Sequence, residues 1–232
     1  MQYICLLFHR FLHSLNHKGF TGTATHTANF IYRKTIVSFR DWRFDRKWNV
    51  NTTGRVIHPK ISSNRLHLLA EPYEPTPLRG LALVMREISR FDPSRFAFFD
   101  MGCGKGRVLI VASYHRFGRV VGVEFCKNLA RIAQENVKRS ESRRSRGSAV
   151  EVVCADAADF QFSDEDAFIF FFNPFNEEIM AKVLENIRAS ARNTKERYIV
   201  YYNPVLQNLF GKPDQFSLIK KHEKYFIYRM VV

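Results

Sequence analysis

From Phe96 onward the hydrophobic positions fall into short runs. Phe96–Phe99, Val120–Glu124, Val150–Cys154, Phe168–Phe172 and Tyr198–Tyr202 are dominated by aromatic and β-branched residues. Runs of this length with little polar alternation predict strands buried on both faces, as in a parallel sheet. Between them, 108–114, 129–137 and 177–190 carry apolar residues at helical spacing. Alternation of strand and helix predicts an α/β fold. Two further runs, 216–220 and 225–232, predict a closing pair of strands.

Upstream of residue 71 the rhythm changes. Ile4, Leu7, Phe8, Phe11, Leu12 and Leu15 recur at helical spacing and Gly19 is a stop signal. A second helix is expected over 29–42. Asp41–Lys60 shows no clean period and reads as a connector that could also cover a site. Its Trp42, Phe44 and Trp48 would either stack on a substrate or, by the stronger expectation, bury against the core. Three prolines in 71–77 (EPYEPTP) mark a boundary. Thr76 and Pro77 then read as N-cap and first residue of a helix through Leu81, Leu83, Val84 and Ile88. The expected division is a helical and irregular extension over 1–70 and an α/β domain over 71–232.

Composition narrows the class. With 232 residues and 46% hydrophobic content there is enough material for one α/β core with an appendage. No apolar run approaches the roughly 20 residues of a membrane span. Cys5, Cys103, Cys126 and Cys154 form no C-x-x-C pair and no zinc spacing, so reduced thiols and no metal site are expected. A cytoplasmic location follows. The acid-free, basic stretch 1–40 also overlaps with mitochondrial presequences, a helical extension packed on the catalytic domain being the favoured reading. A net charge of +14 permits a nucleic-acid or acidic partner without demanding one.

The candidate chemistry centres on Phe96–Val108, FAFFDMGCGKGRV. A buried strand runs into Asp100, then glycines at every second position, Gly102, Gly104 and Gly106, then a helix. That is the opening of a βαβ nucleotide-binding unit, whose glycines let a ligand approach the backbone and permit positive φ. The dinucleotide fingerprint G-x-G-x-x-G does not fit, because the third glycine comes one residue early, and the phosphate loop G-x-x-x-x-G-K-[ST] is absent. Asp100 would repel a pyrophosphate and suit an ammonium group. Glu124 ends the second strand, 24 residues after Asp100, close to the offset of a carboxylate that holds ribose hydroxyls. The basic run 138–147 joins a helix to a strand, which places it at the sheet edge opposite the ligand; a solvated loop is the first reading and a docking patch the second.

D-x-G-x-G-x-G resembles motif I of the Rossmann-fold (class I) S-adenosylmethionine (SAM) dependent methyltransferases. The fuller pattern YEPTP…DMGCGKGRV…VVGVEF…FNPF is similar to an uncharacterised group within that family, and the resemblance covers Tyr73–Val232. It implies a Rossmann-like, seven-stranded, mostly parallel sheet with an antiparallel last strand, carrying the N-terminal helical extension. It implies SAM as cofactor, held by Tyr73, Thr76, Asp100, Gly102, Cys103, Gly104, Gly106, Glu124, Phe125, Asp156 and Ala157. Asp156 would pair with the adenine amino group, with Asp159 as a competing candidate. Asn173-Pro174-Phe175 resembles motif IV, [DN]-P-P-[FYW], of amino-group methyltransferases, with one proline where two are usual. This shortened form is also similar to the Asn-Phe turn of Rossmann-type histone lysine methyltransferases. The implied activity is methyl transfer to an amino nitrogen, with a protein lysine or similar amine favoured and a nucleic-acid base as an alternative. A SAM-binding or nucleic-acid-binding module without catalysis is the competing class. The acceptor and the oligomeric state are not named by the sequence.

Overall fold

The computed structural model describes residues 35–56, 73–143, 147–191 and 196–231. The expected helix over 4–15 and the expected boundary at 70/71 lie outside them. The chain divides into two compact units, Met1–Phe44 and Asp45–Val232. In the first, the described residues are helical and the exposed rings of Phe39 and Trp42 stack at 5.8 Å.

The second unit is built on one seven-stranded sheet in the order β3-β2-β1-β4-β5-β7-β6. The strands are β1 (Ala97–Met101), β2 (Arg119–Glu124), β3 (Val150–Cys154), β4 (Ala167–Phe172), β5 (Arg197–Tyr202), β6 (Phe216–Lys221) and β7 (Tyr225–Met230). Strands β1 to β5 pair in parallel, and β7 runs antiparallel to both neighbours, β5 and β6. The helices are α1 (Leu78–Ile88), α2 (Arg107–Ser113), α3 (Lys127–Glu141) and α4 (Glu177–Ala189). Side-chain alternation along the strands splits the core into two layers. Phe98, Val120, Phe168 and Val200 pack with Leu81, Val84, Leu109 and Ala133 of α1, α2 and α3. Phe99, Val121, Ile169 and Ile199 pack with Met180, Val183 and Ile187 of α4. Helices on both faces explain why β1 is buried at all five positions.

Three local expectations are corrected. Helix continues to residue 48, through the first part of the segment expected to be an irregular connector. Its period is disguised because a buried position of that helix is Asp45, whose carboxylate accepts hydrogen bonds from Thr52 and Thr53. Of the aromatic trio, Trp42 is 51% exposed, and Trp48 packs on Tyr114 at the end of α2, away from the strands' C-terminal edge. Thr76 does not cap α1: the N-cap is Pro77 and no side chain caps it. Thr76 is buried, and its carbonyl accepts a hydrogen bond from Arg107.

The first residues of the basic run, Lys138 and Arg139, lie in the last turn of α3. Arg143 donates from Nη1 to the Lys47 carbonyl at 2.9 Å, and 144–146 lie outside the described residues. This connection enters β3 at its N-terminal end, opposite the edge where β1, β2 and β4 deliver the candidate chemistry.

Candidate active site

The site grows from the C-terminal ends of adjacent strands, where parallel sheets bind ligands. After β1 the chain turns sharply: Gly102 N–H and Cys103 N–H both donate to the Val123 carbonyl of β2, at 2.9 and 3.0 Å. Two glycines are demanded by close approach. At Gly104 (φ +54°) a Cβ would lie 2.2 Å from the Tyr73 ring, and at Gly102 (φ +83°) 2.6 Å from Pro174 Cβ. The glycine turn is thus clasped between Tyr73 on one side and the turn after β4 on the other. Gly106 differs: it is the N-cap of α2, and the space over it is taken by Ala133 of α3.

Two adjoining lobes of one cleft result. The larger encloses about 640 Å³ of open space and is lined by the glycine turn, Tyr73, Thr76, Asp100, Glu124 and the turn Asn173-Pro174-Phe175. The smaller, about 380 Å³, is lined mainly by carbon, with Val123, Ala155, Ala157 and Ile179 around Asp156. Gly102, Phe125 and Phe175 belong to both.

The electrostatics of the larger lobe are unusual. Asp100 is 3% exposed, and its Oδ2 has no hydrogen-bond partner. Burial, and then the neighbouring Glu124 carboxylate, push its pKa well above the ordinary range. Glu124 is also raised by burial, although its Oε2 accepts from Gly104 N–H and its Oε1 from Cys126 N–H, each at 2.9 Å. Two buried carboxylates side by side favour a cation between them and the solvent. Tyr73 is raised by burial as well and donates its hydroxyl to the Thr52 carbonyl at 2.6 Å.

Residues 98–194 match the family model described as a methyltransferase domain. Over those residues the chain resembles methyltransferase domains. The fold agrees with solved structures. The yhhF protein of Escherichia coli superposes with a TM-score of 0.56 at 15% identity, over 77% of this chain and 99% of that one. A SAM-dependent methyltransferase from Aquifex aeolicus superposes with a TM-score of 0.51 at 17% identity, over 66% of this chain and 89% of that one. No curated protein matches the chain.

The structure places Tyr73, Thr76, Asp100, Gly102, Cys103, Gly104, Glu124 and Phe125 around the larger lobe, together with Asn173, Pro174 and Phe175. Asp156 and Ala157 line the smaller lobe, whereas Asp159 is exposed and lines neither. Gly106 of the predicted set lines neither lobe and serves the packing of α2 on α3.

Several lining residues escaped the sequence reading. Arg107 is 2% exposed on the wall of the larger lobe, donating from Nε to Thr52 Oγ1 at 2.9 Å and from Nη1 to the Thr76 carbonyl at 3.3 Å. Its signal was an arginine opening an otherwise apolar helix, RVLIVAS. Glu74, an exposed carboxylate beside Tyr73, lines the same lobe. No helix among the described residues is long and apolar enough to cross a membrane.

Proposed function

We propose that this domain transfers a methyl group from SAM to an amino nitrogen, with a protein lysine or similar amine as acceptor. The observation that carries the reading is one cleft holding both the orphaned Asp100 carboxylate and the Asn173-Pro174-Phe175 turn.

The residues fit the cofactor. Asp100 Oδ2 is a buried acceptor awaiting a donor, which the ammonium of a methionine group would supply. Arg107 is the cation on the same wall for a carboxylate. The Glu124 carboxylate accepts backbone hydrogen bonds from Gly104 and Cys126 and still offers lone pairs to ribose hydroxyls. The smaller lobe offers Phe125, Ala157 and Ile179 to a flat ring. There Asp156 accepts from Ala158 N–H at Oδ1, leaving Oδ2 for an amino group. SAM, when bound, supplies a methyl on a sulfonium whose leaving group is a neutral thioether.

The remaining task is alignment, and the acceptor turn is suited to it. Asn173 sits in the left-handed region (φ +45°), which turns the chain across the end of β1. Its amide oxygen can accept from an N–H₂ group and aim the nitrogen lone pair into the larger lobe. Pro174 abuts Gly102, and Phe175, edge-on to Phe171 at 6.2 Å, forms an apolar wall shared by both lobes. The new C–N bond forms with the nitrogen's lone pair as the S–C pair stays on sulfur. An acceptor arriving as ammonium first gives a proton to solvent.

Two measurements test this. Calorimetry should show binding of SAM and S-adenosylhomocysteine and none of NAD. Incubation with methyl-tritiated SAM should label protein in a cell extract. Binding of NAD alone, or no label in either protein or RNA, would overturn the transferase reading; label confined to RNA would overturn the amine-acceptor reading.

A further inference from the structure

The Asn173 amide has a neighbour outside its own turn. Strand β4 pairs with β5 so that Phe171 lies opposite Tyr201, two residues before Asn173. The long Tyr201 side chain spans the distance to the turn, and its hydroxyl oxygen lies 3.4 Å from Asn173 Oδ1. Tyr201 is 1% exposed and packs against the rings of Phe171 at 6.4 Å and Phe210 at 5.8 Å, which fixes where the hydroxyl sits. The chain then returns over it. Asn203, left-handed at φ +51°, turns the backbone after β5, and Leu206 N–H donates to the hydroxyl at 3.3 Å. Burial holds the phenol above its ordinary pKa, with the backbone amides of Leu206 and Val205 acting the other way, so the proton stays on the oxygen at neutral pH.

A hydroxyl has one hydrogen and two lone pairs. A backbone N–H can only donate and occupies a lone pair, which leaves the hydrogen for Asn173. The amide atom that can receive it is Oδ1, never Nδ2, so the contact selects one of the two orientations of the amide. We propose that Tyr201 is a positioning residue for methyl transfer, holding the Asn173 amide with its oxygen ready for the acceptor amine. The role rests on the amine-transferase reading above and adds the group that makes Asn173 an acceptor rather than a donor. An amide turned by 180° would present Nδ2 to the incoming nitrogen. Its N–H would then bind the nitrogen's lone pair, the same pair that must attack the methyl. In the selected orientation Oδ1 accepts from Tyr201 and keeps a second lone pair for the amine N–H. At 3.4 Å the contact is long, as catalytic hydrogen bonds commonly are before the substrate docks.

The test compares the full chain as wild type, Tyr201→Phe, Asn173→Gly and the double variant, using methyl-tritiated SAM and the protein labelled in a cell extract. Tyr201→Phe keeps the packed ring and removes the hydroxyl. Its kcat should be lower by about three- to tenfold, the range for one neutral hydrogen bond. The KM for the acceptor and the affinity for S-adenosylhomocysteine, by calorimetry, should be unchanged. In the Asn173→Gly background, where no amide is left to orient, the same substitution should leave the residual rate as it is. A hydroxyl that merely supports the backbone at Leu206 would cost the same factor in both backgrounds, and that outcome overturns the proposal. So does a wild-type kcat in Tyr201→Phe, or a loss of S-adenosylhomocysteine affinity that matches the loss of rate. No label in protein with wild type would refute the amine-transferase reading and the proposal with it. Label in protein with an undiminished rate in Tyr201→Phe refutes the proposal alone.

Discussion

Asn173 is held by backbone geometry as much as by its side chain, and this decides how its role is measured. At φ +45° an alanine is strained while a glycine is not. Asn173→Gly is therefore the clean deletion of the amide. If the amide aligns the acceptor, kcat should fall on the order of 10²–10³-fold, the cost of one positioned hydrogen bond, with S-adenosylhomocysteine affinity unchanged. Asn173→Ala should show the same loss of rate with a lower melting temperature. Wild-type turnover by Asn173→Gly, assayed on the protein first labelled in the extract, would remove the turn from catalysis. Asp100 answers to binding instead. Asp100→Asn loses the charge that meets an ammonium and should weaken S-adenosylhomocysteine by about 1.5–3 kcal/mol, read by calorimetry. An unchanged dissociation constant would leave Asp100 as a buried strand residue only. Asp100 and Asn173 were both legible because each lies in a compact local pattern, one before alternating glycines and one after an apolar strand. Arg107, Glu74 and Tyr201 were not. Nothing within a few residues of them reveals which way a side chain points, and only the pairing of β4 with β5 brings the Tyr201 hydroxyl within 3.4 Å of Asn173 Oδ1.

At the scale of elements, the strands of the α/β core were readable because burial on both faces removes polar positions and leaves unmistakable apolar runs. The segment 49–56 was not readable, because it is held by hydrogen bonds across long sequence separations. Asp45 accepts from the backbone and hydroxyl groups of both Thr52 and Thr53. Thr52 in turn accepts from Arg107, Lys105 Nζ donates to the Thr53 carbonyl at 2.6 Å, and Asn136 of α3 exchanges hydrogen bonds with Asn51 while also donating to the Lys105 carbonyl. Through these bonds the strap supports Arg107 and Tyr73, two walls of the larger lobe. Asp45→Ala strands buried donors, a cost of about 1–3 kcal/mol. The expected signs are a melting temperature lower by roughly 2–12 °C and weaker binding of S-adenosylhomocysteine. Arg143→Ser, which removes exposed bonds to the Arg46 and Lys47 carbonyls, should change neither. Equal melting temperatures for Asp45→Ala and wild type would show that the strap is held by something other than Asp45.

For the molecule as a whole, the buried Asp100 and Glu124 link stability to pH in a direction opposite to most carboxylates. Both pKa values are raised in the folded chain, with burial the largest cause. Below the ordinary carboxylate range both states are protonated and the two groups cost nothing. As pH rises the unfolded chain ionises first, binds fewer protons than the folded one, and is favoured until the folded groups ionise as well. Their contribution is thus fully present at low pH and is lost as pH climbs through the raised folded values. A ligand ammonium on Asp100 reverses this for one of the pair, because it favours the charged form. Two consequences follow for thermal scans over that window. The rise in melting temperature given by saturating S-adenosylhomocysteine should grow with pH in the wild type, since only the bound form keeps Asp100 ionised at little cost. In Asp100→Asn, whose amide stands in for the protonated carboxyl, the rise should be smaller and nearly independent of pH, while the ligand-free variant should lose less stability than wild type as pH increases. Exposed carboxylates contribute equally to both proteins and cancel in the difference. Parallel pH profiles for wild type and Asp100→Asn, with and without ligand, would mean that Asp100 does not change its protonation when the cleft is filled, and that the ammonium is held elsewhere.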